Sequence, residues 1–460
     1  MAVGLLLQVP TLSADPAAAT ESYIRTQMRE QGIPGVALGV VRHGRPIYLQ
    51  GFGVATLEHA VPVRPQTRFQ IGSIGKQFTA VAVMLLAQEG RLSLDDPLAK
   101  YLAEIPPGWR GVTLRLMLNH QAGIPQLTPP DHNLLDLHHD YSDEEYVRLA
   151  TSLPLDFEPG TDVAYSDTAY VLLGFVIGRV AHEFYGDLLA RRVFRPLRMQ
   201  RTRIVSDADI IPGRASGYER DVGGRLRNQD YVSPSLNRTA DGSLYSTVVD
   251  LARWDAALYG ERVLPQADLR RMWSIDPHRD GSRPLLHYGY GWEINSLRGH
   301  AVIEYDGNWQ GFQAALARYP DRGLTVIVLT NLALCRAQRL AHTVAGIFDP
   351  QLAGYPQTAA DAAPQRTARF RALLDTIRGG GVDPEPFSPS ARARFSEHWA
   401  RSLARDLAAV GAIRSVRLVE QDASGRERIY RVEAERMIDY FTVRDDPAGL
   451  IEDIDLSHEY

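Results

Sequence analysis

The stretch IGSIGKQFTAVAVMLLAQEG, residues Ile71–Gly90, organises this chain of 460 residues. Its apolar residues recur at helical spacing and Gly90 stands where a helix would end, so it predicts a long, mostly buried helix. Ser73 and Lys76 are three residues apart, which on a helix puts hydroxyl and amine on one face about a turn apart. A serine hydroxyl is a poor nucleophile until a neighbouring base accepts its proton, and an amine at that spacing can do so. The start of a helix also supplies partial positive charge and unpaired backbone donors, which suit an oxyanion.

Composition sharpens the interest in Lys76. Of 50 basic residues only Lys76 and Lys100 are lysines, leaving 48 arginines. Arginine keeps its proton in proteins, whereas a partly buried lysine can lose it. Hydrophobic residues at 45% and charged residues at 23% are globular values, which exclude disordered, collagen-like and coiled-coil classes. A net charge of -5, with no basic run interleaved with aromatics, argues against a nucleic-acid partner. The single cysteine, Cys335, excludes an internal disulfide, a CxxC pair and a thiolate metal cluster, and reads as a small buried hydrophobe. No run approaches the roughly eighteen apolar residues of a membrane span. The opening MAVGLLLQVPTLSADPAAA has a short apolar stretch and a small-residue site at Leu12-Ser13-Ala14 but no basic leader. Residues 1–20 are accordingly read as an export-signal remnant, with a periplasmic or secreted protein expected and a cytoplasmic one as the alternative.

Working outward from the helix, GVALGVV and IYLQGFGVA flank His43-Gly44-Arg45 and predict a hairpin that opens the sheet. Asp95 to about Leu269 reads as an all-helical insertion, heavy in Pro, Asp and His. Strand patterns return at YGYGWEINS, HAVIEYDG, GFQAALARY and LTVIVLTN, completing an antiparallel sheet. The expected fold is therefore α/β of the α+β type, an antiparallel sheet flanked by helices, over residues 21–348. A linker follows at 349–365, and 366–460 reads as a small accessory α+β domain with no visible catalytic residues. Its arginine-rich helices, around Thr367–Ile377 and Ser390–Val410, read as solvated faces. A second cluster, Asp131, His132, Asp136, His138, His139 and Asp140, has metal-ligand chemistry but no recognised ligand spacing, and reads as a polar loop.

Ser73-Ile-Gly-Lys76 is the SxxK pattern of serine β-lactamases and penicillin-binding proteins. From Ile33 to Asn331 the chain resembles that hydrolase family, particularly the branch of class C β-lactamases, DD-carboxypeptidases, D-aminopeptidases and esterases. FQIGSIGKQFTAVAVMLLAQEGRLSLDDPLAKYL resembles its nucleophile segment, and VTLRLMLNHQAGIP, EPGTDVAYSDTAYVLLG, DGSLYSTVVDLARW and YGYGW resemble later segments in order.

The resemblance implies an acyl-enzyme hydrolase, with Ser73 as nucleophile and Lys76 and Tyr165 moving protons. It implies no metal or organic cofactor, and a small-molecule or peptide substrate as partner. It gives His120 a fold-supporting role and makes YGYGW a sheet strand. Asp167 stands where the family most often has asparagine, and a carboxylate there would favour the ammonium form of Lys76. The family's third motif maps onto Tyr305-Asp306-Gly307, where Tyr305 replaces a cation. Gly307 would keep the backbone close to substrate, and the N–H of Asn308 would join that of Ser73 in an oxyanion hole. A catalytically silent sensor built on the same pocket is the alternative.

Overall fold

The computed structural model describes residues 15–103, 105–128, 133–281, 284, 286–297, 299–354, 358–381, 383–394, 403–404, 407, 411–435 and 438–458. The opening stretch, Asp131, His132 and most of Phe395–Val410 lie outside them. Among the described residues no helix is long and apolar enough to cross a membrane.

Helix α1 (Pro16–Gln31) precedes the hairpin of β1 (Gly35–Arg42) and β2 (Arg45–Thr56), followed by β3 (Val61–Pro62) and β4 (Phe69–Gln70). A 3-10 turn, Gly72–Gly75, leads into α2 (Lys76–Gln88). The insertion carries α3 (Leu114–Leu118), α4 (Asp143–Thr151), α5 (Asp167–Ala181) and α6 (Tyr185–Leu189). It also carries short strands, β5 (Arg203–Ile204), β6 (Tyr218–Arg220), β7 (Leu226–Asn228) and β8 (Leu244–Ser246), so helices dominate it without filling it. After α7 (Val248–Ala257) and α8 (Gln266–Met272), the strands β9 (Glu293–Leu297), β10 (His300–Trp309), β11 (Phe312–Tyr319) and β12 (Leu324–Thr330) precede α9 (Ala337–Phe348).

The main sheet runs β3-β2-β1-β12-β11-β10-β9, with antiparallel pairing throughout. Strand alternation sends Val36, Leu38 and Val40 into one core with Leu340 and Val344 of α9, and Ala37 and Val41 into the other, with α2, α5 and α7. Residues Lys76 to Leu86 are all buried, because α2 is enclosed on every side by those layers. Gly90 ends that region at φ +67°, with nothing within 4 Å of an added Cβ, so backbone conformation alone asks for glycine.

YGYGW is not a strand. Tyr288 makes only an isolated bridge to Glu293, and β9 begins at that glutamate. Gly291 takes φ +72°, and a Cβ there would lie 2.6 Å from the carbonyl oxygen of Lys76. Close approach to the start of α2 is what this segment's glycine provides.

Helices α10 (Pro364–Arg378) and α11 (Pro389–Arg394) accompany a separate antiparallel sheet, β13 (Ile413–Gln421), β14 (Glu427–Ala434), β15 (Ile438–Asp445) and β16 (Ile451–His458). Phe370, Leu374, Tyr430 and Phe441 belong to its own core. The arginines of α10 are not simply a solvated face. Arg366, Arg369 and Arg371 donate to the carbonyls of Gly425, Gly449 and Ile413 at 2.9, 2.8 and 2.8 Å. These bonds staple the helix to turns and strand ends of the sheet.

Beneath the main sheet, Arg318 donates to Asp255 at 2.7 Å; both side chains are at most 2% exposed, and Thr325 donates to the same carboxylate oxygen. The guanidinium also lies 5.0 Å from the Trp273 ring centroid. Asp255→Ala would leave a buried, unpaired arginine, so a loss of about 3–5 kcal/mol is expected. Urea unfolding of the variant checks this, and an unchanged midpoint would refute it.

Candidate active site

Ser73 sits in the 3-10 turn and not in the α-helix, which starts at Lys76. A 3-10 turn eclipses side chains three residues apart, bringing the pair together more directly than an α-helix would. Lys76 Nζ lies 3.0 Å from Ser73 Oγ. Four glycines let the backbone close on this turn. An added Cβ on Gly307 would come within 2.0 Å of the Ile71 carbonyl oxygen, and one on Gly242 within 2.6 Å of the Gly72 carbonyl carbon. A Cβ on Gly75 would lie 2.9 Å from Gly242 Cα, and one on Gly72 2.7 Å from Asn308 N. Gly307 and the backbone nitrogens of Ser73 and Asn308 are thereby gathered against one another, while the Asn308 side chain is exposed.

Tyr165 and Asp167 arrive from the start of α5, which Ser166 caps by accepting from Ala169 N at 3.1 Å. Tyr165 Oη is 2.7 Å from both Ser73 Oγ and Lys76 Nζ. It also donates to Asp167 Oδ1 at 2.8 Å. Lys76 is fully buried and donates to Asp167 Oδ1 at 2.5 Å and to the Asp241 carbonyl at 2.8 Å.

This arrangement limits the proton inventory. An ammonium has three N–H bonds, and the carboxylate and the carbonyl, being acceptors only, use two. The third position faces the Ser73 and Tyr165 hydroxyls. It is an N–H when lysine is charged, and a lone pair able to take a proton when it is not.

Burial raises the Tyr165 phenol well above its ordinary range, and the Asp167 charge adds to that, so the phenol stays protonated. For Asp167 burial pulls upward but is outweighed by the Lys76 charge and by hydrogen bonds from Lys76, Tyr165 and Gln126, leaving it below the usual range. Burial, followed by the neighbouring Lys76 charge, pushes His120 down to about 3. It is therefore neutral at ordinary pH. Its Nδ1 accepts from Ser166 N at 3.2 Å, and its ring lies 4.9 Å from that of Tyr165, in keeping with a supporting role.

Three contributors escape a reading of single motifs. Gln126 holds Asp167 at both ends, donating to Oδ2 at 2.7 Å and accepting from its backbone N at 2.9 Å. It falls just beyond the LNHQAGIP segment. Tyr288, 4.7 Å from the His120 ring and 6.2 Å from that of Tyr165, comes from YGYGW. Asp241 begins the DGSLYSTVVDLARW segment, whose resemblance to the family points to no role for that residue. Burial, then the Asp167 charge, pushes its carboxyl up to about 6.

Tyr305 is only 2% exposed, and its hydroxyl has no hydrogen-bond partner among the described residues. It packs into the core that includes α2, with the Tyr165 and Tyr288 phenols near enough to influence it. In the acidic loop, His138 Nδ1 lies 3.5 Å from Asp136, and Asp140 accepts from Ser235 N. Among the described residues no group of three or more His, Cys, Asp or Glu side chains could hold a metal.

Two pH experiments follow from these charges. Asp167→Asn removes the negative charge favouring the ammonium, so the acid limb of kcat/KM should move to lower pH. An unmoved limb would show that the ion pair does not govern it. Asp241 has a raised carboxyl, so its contribution to stability is present below the ordinary value and lost as pH rises through about 6. Asp241→Asn should therefore gain Tm relative to the native protein by roughly 2–5 °C between pH 4.5 and 8. Parallel calorimetric scans measure it, and a constant difference would contradict the assignment.

The Beta-lactamase family model matches residues 20–345. Penicillin-binding protein 4* of Bacillus subtilis is 30% identical over 305 residues, covering 63% of this chain and 66% of that protein. Protein flp of Staphylococcus aureus is 25% identical, covering 70% and 64%. The chain thus spans just under two thirds of both relatives. A D-stereospecific amidohydrolase from Streptomyces sp. superposes with TM-score 0.62 at 25% identity, over 73% of this chain and 99% of that one. An octameric penicillin-binding protein homologue from Pyrococcus abyssi has TM-score 0.63 at 23% identity, over 93% and 90%, and speaks to fold alone. With the family model covering most of its length, this chain belongs to the beta-lactamase family.

Proposed function

We propose that the protein is a serine hydrolase that opens amide or ester bonds through an acyl-enzyme on Ser73. The observation carrying this reading is that one hydroxyl, Ser73 Oγ, lies within hydrogen-bond distance of both Lys76 Nζ and Tyr165 Oη. Ser73 attacks the carbonyl carbon as its proton passes to the Lys76 lone pair, directly or through Tyr165. The backbone N–H groups of Ser73 and Asn308 hold the developing oxyanion. Collapse breaks the bond to the leaving group, which takes a proton from Tyr165, with Lys76 resupplying the phenol. Water then attacks the ester carbonyl, its proton retraces the same path, and Ser73 is released with the acid product.

The substrate class follows from Tyr305. A cation at that position would form a charge-assisted bond to a substrate carboxylate, whereas Tyr305 is a buried phenol that offers no charge there. Esters and amides that lack a carboxylate, including amides of D-amino acids, are therefore favoured over cephalosporins and peptides ending in a free carboxylate. The similarity to a D-stereospecific amidohydrolase supports the amide side of this reading.

A rate panel with p-nitrophenyl acetate, D-phenylalanine amide, a chromogenic cephalosporin and a D-Ala-D-Ala peptide tests it against a Ser73→Ala control. The two substrates without a carboxylate should turn over at least tenfold faster than the two acids, and a fluorophosphonate should add one label at Ser73. Faster cephalosporin turnover would overturn the substrate class. Background rates throughout, with no acyl adduct, would overturn the hydrolase and leave the ligand-binding sensor.

A further inference from the structure

A cavity of about 340 Å³ opens between α4, α5 and residues 235–240, and neither Ser73, Lys76, Tyr165 nor Asp167 borders it. That volume is at the small end of ligand pockets. Its walls are aromatic: Tyr141, Tyr146, Phe175, Phe184 and Tyr185. The Tyr146 and Phe175 rings meet edge to face, with centroids 5.8 Å apart.

The charged groups at the cavity sort into engaged and available. Glu183 is paired with Arg191, and Arg179 lies 3.5 Å from Glu144. Asp143 and Arg238 make no ion pair within 4 Å among the described residues. The Arg238 guanidinium lies over the Phe184 ring at 5.4 Å, and Arg238 and Arg179 both influence Asp143 electrostatically, with Glu144 opposing them. One carboxylate and one guanidinium are therefore available at the edge of an aromatic box.

Two glycines of α5 shape the floor, for different reasons. A Cβ on Gly174 would come within 2.5 Å of Ala240 Cβ, so packing requires that glycine. A Cβ on Gly178 would meet nothing closer than 3.7 Å, and its backbone is ordinary helix. Neither packing nor conformation asks for glycine there, and glycine is unfavourable inside a helix. What Gly178 leaves is volume in the cavity.

We propose that this cavity is a second binding site, separate from the serine centre, for a small zwitterion with an aromatic body: the chemistry of a free aromatic α-amino acid. The ammonium pairs with Asp143, the carboxylate with Arg238, and the ring enters the aromatic walls over Gly178. The inference concerns binding alone and stands whether or not the protein hydrolyses amides.

Calorimetric titration with phenylalanine, 3-phenylpropionate and phenethylamine tests it on the full chain. Phenylalanine should bind saturably, and the two analogues, each lacking one charge, at least threefold more weakly. Gly178→Leu, which fills the floor and favours helix, should weaken phenylalanine binding at least tenfold with no loss of Tm. Arg238→Gln, an exposed change, should weaken it at least threefold and decides the matter if the leucine variant does not fold. Absence of saturable binding, equal affinity for 3-phenylpropionate, or unchanged affinity in a folded Gly178→Leu protein would each overturn the proposal; the last would place phenylalanine elsewhere, including at the serine centre.

Discussion

A lysine ammonium with no access to water must have its hydrogen bonds met by the protein, because an unpaired buried charge is far too costly to persist. Meeting that demand for Lys76 draws together segments from distant parts of the chain: Asp167 from the start of α5, the Asp241 carbonyl from the approach to β8, and Ser73 from the preceding turn. Asp167 is supported in turn by Gln126, and the neutral ring of His120 supports Ser166 and Tyr165. The arrangement is thus a solution to a solvation problem as well as a reactive constellation. The same acceptors that make the charge tolerable also fix the direction of the amine's remaining position, toward two hydroxyls.

This explains which parts were legible from sequence. Runs such as GVALGVV and LTVIVLTN are buried on both faces of a central strand pair, so their apolar character is continuous and unambiguous. Ser73, Lys76 and Tyr165 belong to short motifs whose spacing is chemical, and the fold brings them within hydrogen-bond distance. Gln126, Tyr288 and Asp241 were not legible because their relevance lies in tertiary approach. Gln126 is ordinary until it faces Asp167, and Asp241 contributes a backbone carbonyl, which carries no residue signature. YGYGW misled for a related reason: its aromatics and glycines alternate like a strand, while Gly291 serves a backbone approach to Lys76. The arginines of α10 looked solvated because charge pattern says nothing about which carbonyls lie nearby.

The sheet beside Ser73 is held by absence of side chains. Gly307, Gly242, Gly75 and Gly72 let main chain from β10 and from the approach to β8 lie against the 3-10 turn. Such a seam is rigid, since no rotamer can adjust within it, and it fixes the Ser73 and Asn308 backbone nitrogens proposed as oxyanion donors by main-chain position. Tyr305, two residues before Gly307 on β10, is packed into the same core.

The scarcity of lysine has a practical consequence for chemistry performed on the protein from outside. Lys76 is wholly enclosed, whereas Lys100 is 53% exposed, paired with Asp96 at 2.8 Å and lying 5.3 Å from the Tyr101 ring centroid. Among lysine side chains, amine-directed reagents such as succinimidyl esters would find one accessible target in the native state. Dyes, surface tethers or crosslinkers would thus meet one lysine side chain, Lys100, besides any free α-amine, and at a blocked N-terminus the attachment point is defined without engineering a cysteine.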